Sequence, residues 1–149
     1  MNPLKGKKLD ILLIEDNLDH VKIIQRALDR STVMNRLLIA HDGQSALDRL
    51  FPVNRPGSYP LEYPDIIFLD LNLPKVDGRE VLRKIKGDER LKTIPVIVIS
   101  SSQRDDDVKR AYELGANTYI SKSLMFEEST KAIDLIKAYW SNVAELPPK

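Results

Sequence analysis

The sequence predicts an α/β fold in which a parallel β-sheet is covered by helices on both faces. Five short apolar segments alternate with segments in which apolar residues recur every three or four positions, as strands alternate with helices in this class. The third apolar segment, Ile66 to Leu69, lacks polar alternation, as expected for a central strand buried on both faces. With 149 residues, 42% of them hydrophobic and 30% charged, the chain has the size and composition of one globular domain.

The first two strands are each followed by a helix. Residues 9–14 are predicted as the first strand, because they form an apolar run, and helical spacing of apolar residues over 18–28 predicts the first helix. Residues 37–40 form the second apolar run, and a short helix over 46–50 follows a His-Asp-Gly turn. Residues 52–64 contain four prolines and a glycine, so we expect a loop insertion there.

The third and fourth strands repeat this pattern. Residues 66–70 are predicted as the third strand, and an Asp-Gly turn then precedes a helix over 81–85. A proline opens the fourth strand, residues 96–99, and three aspartates precede a helix over 108–114, where a helix N-terminus favours negative charge. Gly115 is the expected end of that helix.

The fifth strand is predicted at residues 117–121. A long helix is expected from about Met125 past Trp140, and residues 144–149 form a C-terminal tail. The residues after this helix are too few for a DNA-binding or enzymatic effector domain. We therefore expect one domain over residues 1–149, with no effector domain.

Composition argues against several classes of function. The net charge is +1, so no basic field suggests nucleic acid. The chain has no cysteine, which excludes disulfides, thiolate metal sites and cysteine catalysis. Residues 1–8 lack an apolar signal core, and no apolar run reaches membrane-spanning length. We expect a cytoplasmic protein without nucleic-acid or membrane partners.

Charged side chains are predicted at the carboxyl ends of three strands. Glu15 and Asp16 follow the first strand, Asp70 ends the third, and Lys122 follows the fifth; in an open parallel sheet such ends form sites. Three carboxylates about 5 Å apart repel by about 3 kcal/mol per pair at an effective dielectric of 20, and Mg²⁺ or a similar hard cation would relieve this repulsion. An aspartate beside such a cation is a competent nucleophile toward a phosphoryl group, whose oxygens Lys122 and the Ser100 hydroxyl would bind.

These strand-end residues carry a family resemblance. The chain resembles the receiver domain of two-component response regulators at Glu15, Asp16, Asp70, Asn72, Pro74, Asp77, Gly78, Ser100 and Lys122. The resemblance runs from about Leu9 to Tyr139. It implies a flavodoxin-like (CheY-like) sheet of five parallel strands in the order 2-1-3-4-5. It also implies that Asp70 accepts a phosphoryl group from the phosphohistidine of a sensor histidine kinase, and that the protein catalyses only its own phosphorylation and dephosphorylation.

The same resemblance implies roles for the other site residues. The implied Mg²⁺ ligands are Asp16 and Asp70 directly, Asn72 through its backbone carbonyl, and Glu15 through water. Ser100 takes the position of the switch hydroxyl, and Tyr119 that of the aromatic side chain that changes rotamer. On phosphorylation, Ser100 is expected to move toward the phosphoryl group and Tyr119 to turn inward, which would change a partner-binding surface.

A narrower resemblance concerns the partner. The insertion at 52–64, the Lys122-Ser123 dipeptide and the long final helix resemble the small single-domain regulators that partner cyanobacterial phytochromes, which implies a phytochrome-type kinase. Ser123 departs from the wider family, in which a proline joined by a cis peptide usually follows the lysine. The conformation of this bond is therefore open.

Each site residue also has a simpler interpretation. Glu15, Asp16 or Asn17 is a candidate N-cap of the first helix, and one of Ser100 to Ser102 is a candidate cap of the fourth. Lys122 is compatible with an ordinary surface lysine, and Tyr119 with packing on an edge strand. His20 and His41 are predicted to be surface residues, since neither lies at a strand end beside the carboxylates.

Two enzyme or cofactor classes and a scaffold compete with the receiver hypothesis. A flavodoxin-type FMN binder needs a hydroxyl- and glycine-rich phosphate loop after the first strand, where Glu15 and Asp16 would repel the phosphate. A dehalogenase-type phosphatase carries its nucleophile at the end of the first strand, whereas Asp70 ends the third. Turnover of a generic phosphate ester would separate that class from a receiver. The intact acidic set argues against a scaffold that has lost phosphorylation.

The last helix predicts an interaction surface. At 100° per residue, its apolar residues cover an arc of roughly 160°, wider than the roughly 100° stripe that a one-sided packing needs. The predicted surface consists of Phe126, Ile136, Tyr139 and Trp140 with their apolar neighbours, and charged residues such as Lys137 face the opposite side. We expect a homodimer through this surface; a tail folded over it, or a docked kinase, are the alternatives.

Overall fold

The computed structural model describes residues 8–30, 35–52, 63–127 and 129–148. The strands within these ranges are β1 (Leu9–Ile14), β2 (Asn35–Ala40), β3 (Ile66–Asp70), β4 (Val96–Ser100) and β5 (Thr118–Ser121). The helices are α1 (Leu18–Arg30), α2 (Gly43–Leu50), α3 (Gly78–Gly87), α4 (Asp105–Glu113), α5 (Lys122–Glu127) and α6 (Ser129–Ala138), followed by a π-helical turn (Tyr139–Val143). Most of the predicted insertion, residues 53–62, lies outside the described residues.

The five strands form one parallel sheet in the order β2-β1-β3-β4-β5, which confirms the predicted order. β3 is the central strand, and its five residues are all buried, as its unbroken apolar sequence predicts. The order of the strands in the sheet differs from their order in the chain at β1, which lies between β2 and β3. The carboxyl ends of β1, β3, β4 and β5 therefore lie along the same edge of the sheet.

The two faces of the sheet have separate hydrophobic cores, because successive side chains of a strand point to opposite faces. Leu12, Leu69 and Val98 point to the face covered by α2, α3 and α4. Leu13 and Phe68 point to the face covered by α1, α5 and α6. This packing fixes the register in which the strand-end residues meet.

Side-chain caps fix where three of the helices begin. The Asn17 carboxamide accepts hydrogen bonds from the backbone N–H groups of Asp19 (2.9 Å) and His20 (3.2 Å). The N-cap of α1 is therefore Asn17 and not Asp16. Asp42 caps α2, and Asp77 caps α3 by accepting from the Arg79 N–H at 2.8 Å. These caps satisfy backbone donors that have no partner within the helix.

Some predicted boundaries were wrong. β2 begins two residues earlier than predicted, and β5 begins one residue later. The last helical region begins at Lys122 rather than near Met125, because the Ser121 hydroxyl accepts a hydrogen bond from the Leu124 N–H at 3.3 Å and so starts the helix at the end of β5. The prediction that Gly115 ends α4 is confirmed, since its φ is +106°.

Candidate functional site

Three carboxylates meet at the carboxyl edge of the sheet. Glu15 and Asp16 directly follow β1, and Asp70 is the last residue of the neighbouring β3. One oxygen from each lies within 4.8 Å of the others. Among the described residues, no other group of three acidic, histidine or cysteine side chains comes so close together. The structure therefore brings together the acidic set that the sequence predicts.

The three carboxylates differ in burial. Glu15 and Asp70 are only 2% and 3% exposed, whereas Asp16 is exposed. Burial, together with the hydrogen-bonded Asp70 carboxylate, raises the pKa of Glu15 to about 8, although Lys122 acts in the opposite direction. Burial is thus the main reason why the negative charge of Glu15 is disfavoured in this site, and the neighbouring Asp70 adds to it.

Lys122 lies among these carboxylates. It is the first residue of α5, and its Nζ donates to Glu15 Oε1 at 2.8 Å and to Asp70 Oδ2 at 2.9 Å. Burial acts to lower the pKa of Lys122, but its bonds to Glu15 and Asp70 outweigh this effect and raise it. The Lys122–Ser123 peptide bond is trans.

The loop after β3 orients the Asp70 carboxylate. Asp70 Oδ1 accepts a hydrogen bond from the Asn72 N–H at 3.0 Å, while Oδ2 faces Lys122. Further along, the Gly78 N–H donates to the Leu71 carbonyl at 2.9 Å. A Cβ at Gly78 would lie 2.3 Å from the Asp70 carbonyl oxygen, so only glycine permits α3 to begin this close to the end of β3.

Ser100 and Tyr119 both contact the loop between β4 and α4. Ser100 ends β4, is fully buried, and its Oγ accepts from the Ser102 N–H at 3.2 Å. The Tyr119 hydroxyl donates to the Ser102 carbonyl at 2.7 Å. The Ser102 hydroxyl in turn donates to Asp107 Oδ2 at 2.5 Å and accepts from the Arg104 N–H at 3.3 Å. The expected serine cap of α4 was wrong, since the N-cap residue is Arg104 and it makes no side-chain cap hydrogen bond; Ser102 instead binds residues on either side of the start of α4.

His20 is a site residue that sequence reasoning missed. Its Nδ1 lies 3.1 Å from Glu15 Oε1 and 3.2 Å from Lys122 Nζ, so the prediction of a surface residue remote from the carboxylates was wrong. Burial, followed by the Lys122 charge, lowers the pKa of His20. His20 is the third residue of α1, and helix side chains tilt toward the N-terminus, which directs the ring back to the end of β1. His41 is exposed, as predicted.

The donor set fits a hard divalent cation. All three clustered groups are carboxylates, and oxygen ligands of this kind suit Mg²⁺ or Mn²⁺ better than softer metals. Burial and the neighbouring Asp70 raise the pKa of Glu15, and a bound cation would favour its charged form. Glu15, Asp16 and Asp70 are the residues that would hold such an ion.

The surface predicted on the last helical region is smaller than expected. Phe126, Ile136 and Trp140 are half-buried against the core of the α1 face, whereas Tyr139 is 51% exposed. The exposed apolar neighbours of Tyr139 in this region are Leu135 and Val143. We call Leu135, Tyr139 and Val143 the α6 patch.

Two further predictions for this region have clear outcomes. Lys137 was expected to face solvent, which is wrong: it is 1% exposed. Because α6 packs on α1, Lys137 is buried near Asp29 of α1, and burial lowers its pKa. The tail packs Leu146 against the core and lines, with Pro147 and Pro148, a cavity at the amino end of the sheet, and it leaves the α6 patch exposed.

No helix in the part of the chain that the structure describes is long and apolar enough to cross a membrane.

Comparisons with known proteins point to one family. Residues 11–134 match the family described as response regulator receiver domain. The chain is 45% identical over 130 residues to the probable methanogenesis regulatory protein FilR2 of Methanothrix harundinacea, covering 87% of this chain and 82% of that protein. It is 41% identical over 138 residues to the response regulator Rcp1 of Synechocystis sp., covering 92% of each.

Solved structures with the same fold include two response regulators, one of them a cyanobacterial phytochrome response regulator. The crystal structure of the phosphorylated cyanobacterial phytochrome response regulator RcpA is 40% identical, with a TM-score of 0.84 over 95% of this chain and 99% of that one. The Mn²⁺-bound form of response regulator Rcp1 is 39% identical, with a TM-score of 0.81 over 94% and 99% of the two chains.

Proposed function

The chain belongs to the response regulator receiver domain family, and on that premise we propose that Asp70 accepts a phosphoryl group from a sensor histidine kinase. The observation that carries this proposal is the meeting of Asp70 with two further carboxylates and the Lys122 ammonium at one sheet edge. Lys122 and the Asn72 backbone N–H both orient the Asp70 carboxylate.

The proposed transfer uses the Asp70 carboxylate as the nucleophile. An Asp70 oxygen forms a bond to phosphorus while the bond between phosphorus and the kinase histidine nitrogen breaks, and the electron pair remains on that nitrogen. Lys122 is placed to exchange its bond with Asp70 for one with a phosphoryl oxygen, so that positive charge stays at the reacting group. In this proposal the chain catalyses only its own phosphorylation and dephosphorylation.

We assign the acidic cluster to Mg²⁺, which when bound would neutralise charge on the carboxylates and on the phosphoryl oxygens. The binding of Mn²⁺ by Rcp1 and the oxygen donor set support a divalent cation here. The ligands we propose are Asp16 and Asp70 directly, the Asn72 backbone carbonyl, and Glu15 through water.

The test of this function is labelling with acetyl phosphate in the presence and absence of Mg²⁺, followed by mapping of the modified peptide. We expect labelled Asp70 only when Mg²⁺ is present. Asp70→Asn should lose the label, whereas Asp107→Asn, a control at the start of α4, should keep it. Label that survives in Asp70→Asn, or that forms without metal, would refute the proposal.

Ser100 and Tyr119 are the proposed switch. Both contact Ser102, so a movement of the Ser100 hydroxyl toward a phosphoryl group would displace the loop that now accepts the Tyr119 hydroxyl bond. Freed from that bond, Tyr119 would turn inward. The proposed output is a changed partner-binding surface around this loop.

We further propose a phytochrome-type kinase as the partner, in the cytoplasm. The similarity to RcpA, a cyanobacterial phytochrome response regulator, supports this partner. The chain is also similar to FilR2, whose name refers to methanogenesis and not to a phytochrome, so the class of kinase should be tested directly. Transfer from a phosphorylated phytochrome kinase should be much faster than from an unrelated histidine kinase. Equal rates would contradict the assignment.

Homodimer formation through the α6 patch is the last part of the proposal. Leu135, Tyr139 and Val143 are 64%, 51% and 74% exposed, and clustered exposed apolar groups usually mark an interaction surface. Light scattering at micromolar concentration should give a dimer for wild type and a monomer for Tyr139→Ala with Val143→Ser. Tyr112→Ala, which removes a similarly exposed tyrosine on α4, is the control. A monomeric wild type would contradict the proposal.

A further inference from the structure

We infer that His20 is a positioning residue for Lys122, whose ammonium it holds beside Asp70 as a third hydrogen-bond acceptor. The inference rests on the proposed function, since it gives His20 a part in the phosphorylation of Asp70. Three side chains surround Lys122 Nζ: Glu15 Oε1 at 2.8 Å, Asp70 Oδ2 at 2.9 Å and His20 Nδ1 at 3.2 Å. They match the three N–H donors of an ammonium group.

Two contacts of His20 Nδ1 imply opposite states of the imidazole. Nδ1 lies 3.2 Å from Lys122 Nζ, from which it can only accept, and 3.1 Å from Glu15 Oε1, to which a protonated Nδ1 would donate. We assign the acceptor role, with an unprotonated Nδ1 and the ring proton on Nε2. In that state His20 binds the lysine without adding another negative charge to the cluster.

Two contacts fix the imidazole in place. The His20 ring stacks on Phe126, with centroids 4.4 Å apart and planes tilted by 36°. Phe126 lies four residues after Lys122 on α5, so both side chains share one face of that helix. On α1, the His20 N–H donates to the Asn17 cap at 3.2 Å. The ring is thus held between the start of α1 and one face of α5, with Nδ1 directed at Lys122 and Glu15.

The role of His20 follows from what the other acceptors must do. Glu15 and Asp70 belong to the clustered carboxylates that would hold the cation, whereas His20 is outside that group. Once those carboxylates bind a cation, they hold Lys122 less strongly, and His20 is the acceptor that remains. His20 keeps the Lys122 ammonium near Asp70, where the ammonium must bind a phosphoryl oxygen.

Two variants of His20 separate this role from simple packing. His20→Phe keeps a ring against Phe126 and removes the acceptor, whereas His20→Asn keeps an acceptor close to the Nδ1 position and removes the stack. His41→Phe, at the exposed second histidine, is the control. Circular dichroism and melting curves would verify that each variant is folded.

The first measurement is the rate of Asp70 labelling by acetyl phosphate at saturating Mg²⁺. We expect His20→Phe to label about tenfold more slowly, the factor expected for the loss of a hydrogen bond to a charged group. His20→Asn should restore most of the wild-type rate, and His41→Phe should not differ from wild type. A wild-type rate in His20→Phe, or equal losses in both His20 variants, would overturn the inference.

The second measurement needs no phosphorylation. In ¹⁵N spectra of the metal-free protein, His20 Nδ1 should have the chemical shift of an unprotonated acceptor, and that shift should change in Lys122→Met. A protonated Nδ1, or an unchanged shift in Lys122→Met, would overturn the inference. If wild type is not labelled at Asp70, the proposed function fails, whereas these spectra still decide whether His20 holds Lys122.

Discussion

Replacing Glu15 by glutamine should stabilise the metal-free protein at neutral pH. Glu15 is 2% exposed, and its pKa is raised to about 8 by burial and by Asp70. In the unfolded chain a glutamic acid titrates near 4.5. Between these two values the folded state binds a proton that the unfolded state has released, so the contribution of Glu15 to stability falls as pH rises. Glutamine does not ionise, so its contribution to stability does not fall as pH rises.

The size of the effect follows from the two pKa values. At pH 7, ionisation of Glu15 lowers the free energy of the unfolded chain by about 3 kcal/mol and that of the folded protein hardly at all. Glu15→Gln should therefore gain up to about 3 kcal/mol at pH 7, or roughly 6–12 °C in Tm for a chain of this size. At pH 5 the gain should fall to about 1 kcal/mol.

Urea denaturation in the presence of EDTA at pH 5 and pH 7 would measure this difference. Glu113→Gln removes an exposed carboxylate on α4 and should change stability little at either pH. Asp16→Asn should stabilise less than Glu15→Gln, because Asp16 is exposed. A gain of the same size at both pH values, or a loss of stability at pH 7, would show that folding does not raise the pKa of Glu15.

Three further predictions concern the metal, the switch and the loop after β3. Mg²⁺ affinity, measured by calorimetry, should rise about tenfold per pH unit below pH 8, since binding requires deprotonated Glu15; a flat profile would argue against Glu15 in the site. Ser100→Ala should be phosphorylated nearly normally but should lose the phosphorylation-induced change in the NMR signals of Tyr119, and retention of that change would contradict the switch. Gly78→Ala should cost about 2 kcal/mol or more in urea denaturation, whereas Gly87→Ala, which meets no atom within 4 Å, should cost little; equal effects would contradict the packing argument.

The sheet and its acidic edge were predictable from the sequence because each depends on local patterns. The first four residues of strand β3 are apolar and the last is Asp70. The burial of the strand and the unusual carboxylate at its end are therefore both visible in the sequence. Glu15 and Asp16 follow another such run. The strand order needed the family resemblance, because apolar periodicity does not say which strands are neighbours.

The missed features depend on contacts between distant parts of the chain. His20 and Lys122 are separated by 102 positions, and no local pattern pairs a residue in the first turn of α1 with the first residue of α5. The one available signal was positional, because a side chain in the first turn after an Asn17 cap is directed back toward the strand end. Lys137 was misplaced for a similar reason, since its burial depends on how α6 packs against α1.

Ser123 shows how a departure from the family pattern is accommodated. The sequence left the loop after Lys122 open, because a serine replaces the usual proline. Here the serine contributes hydrogen bonds instead of a ring: its hydroxyl accepts from Gln103 Nε2 at 3.0 Å and lies 3.3 Å from the Ser121 hydroxyl. Since Ser121 also starts α5 by accepting from Leu124, Lys122 is held between two anchored serines. Gln103 belongs to the loop that follows Ser100, so the same bond ties that loop to the helix that carries Lys122.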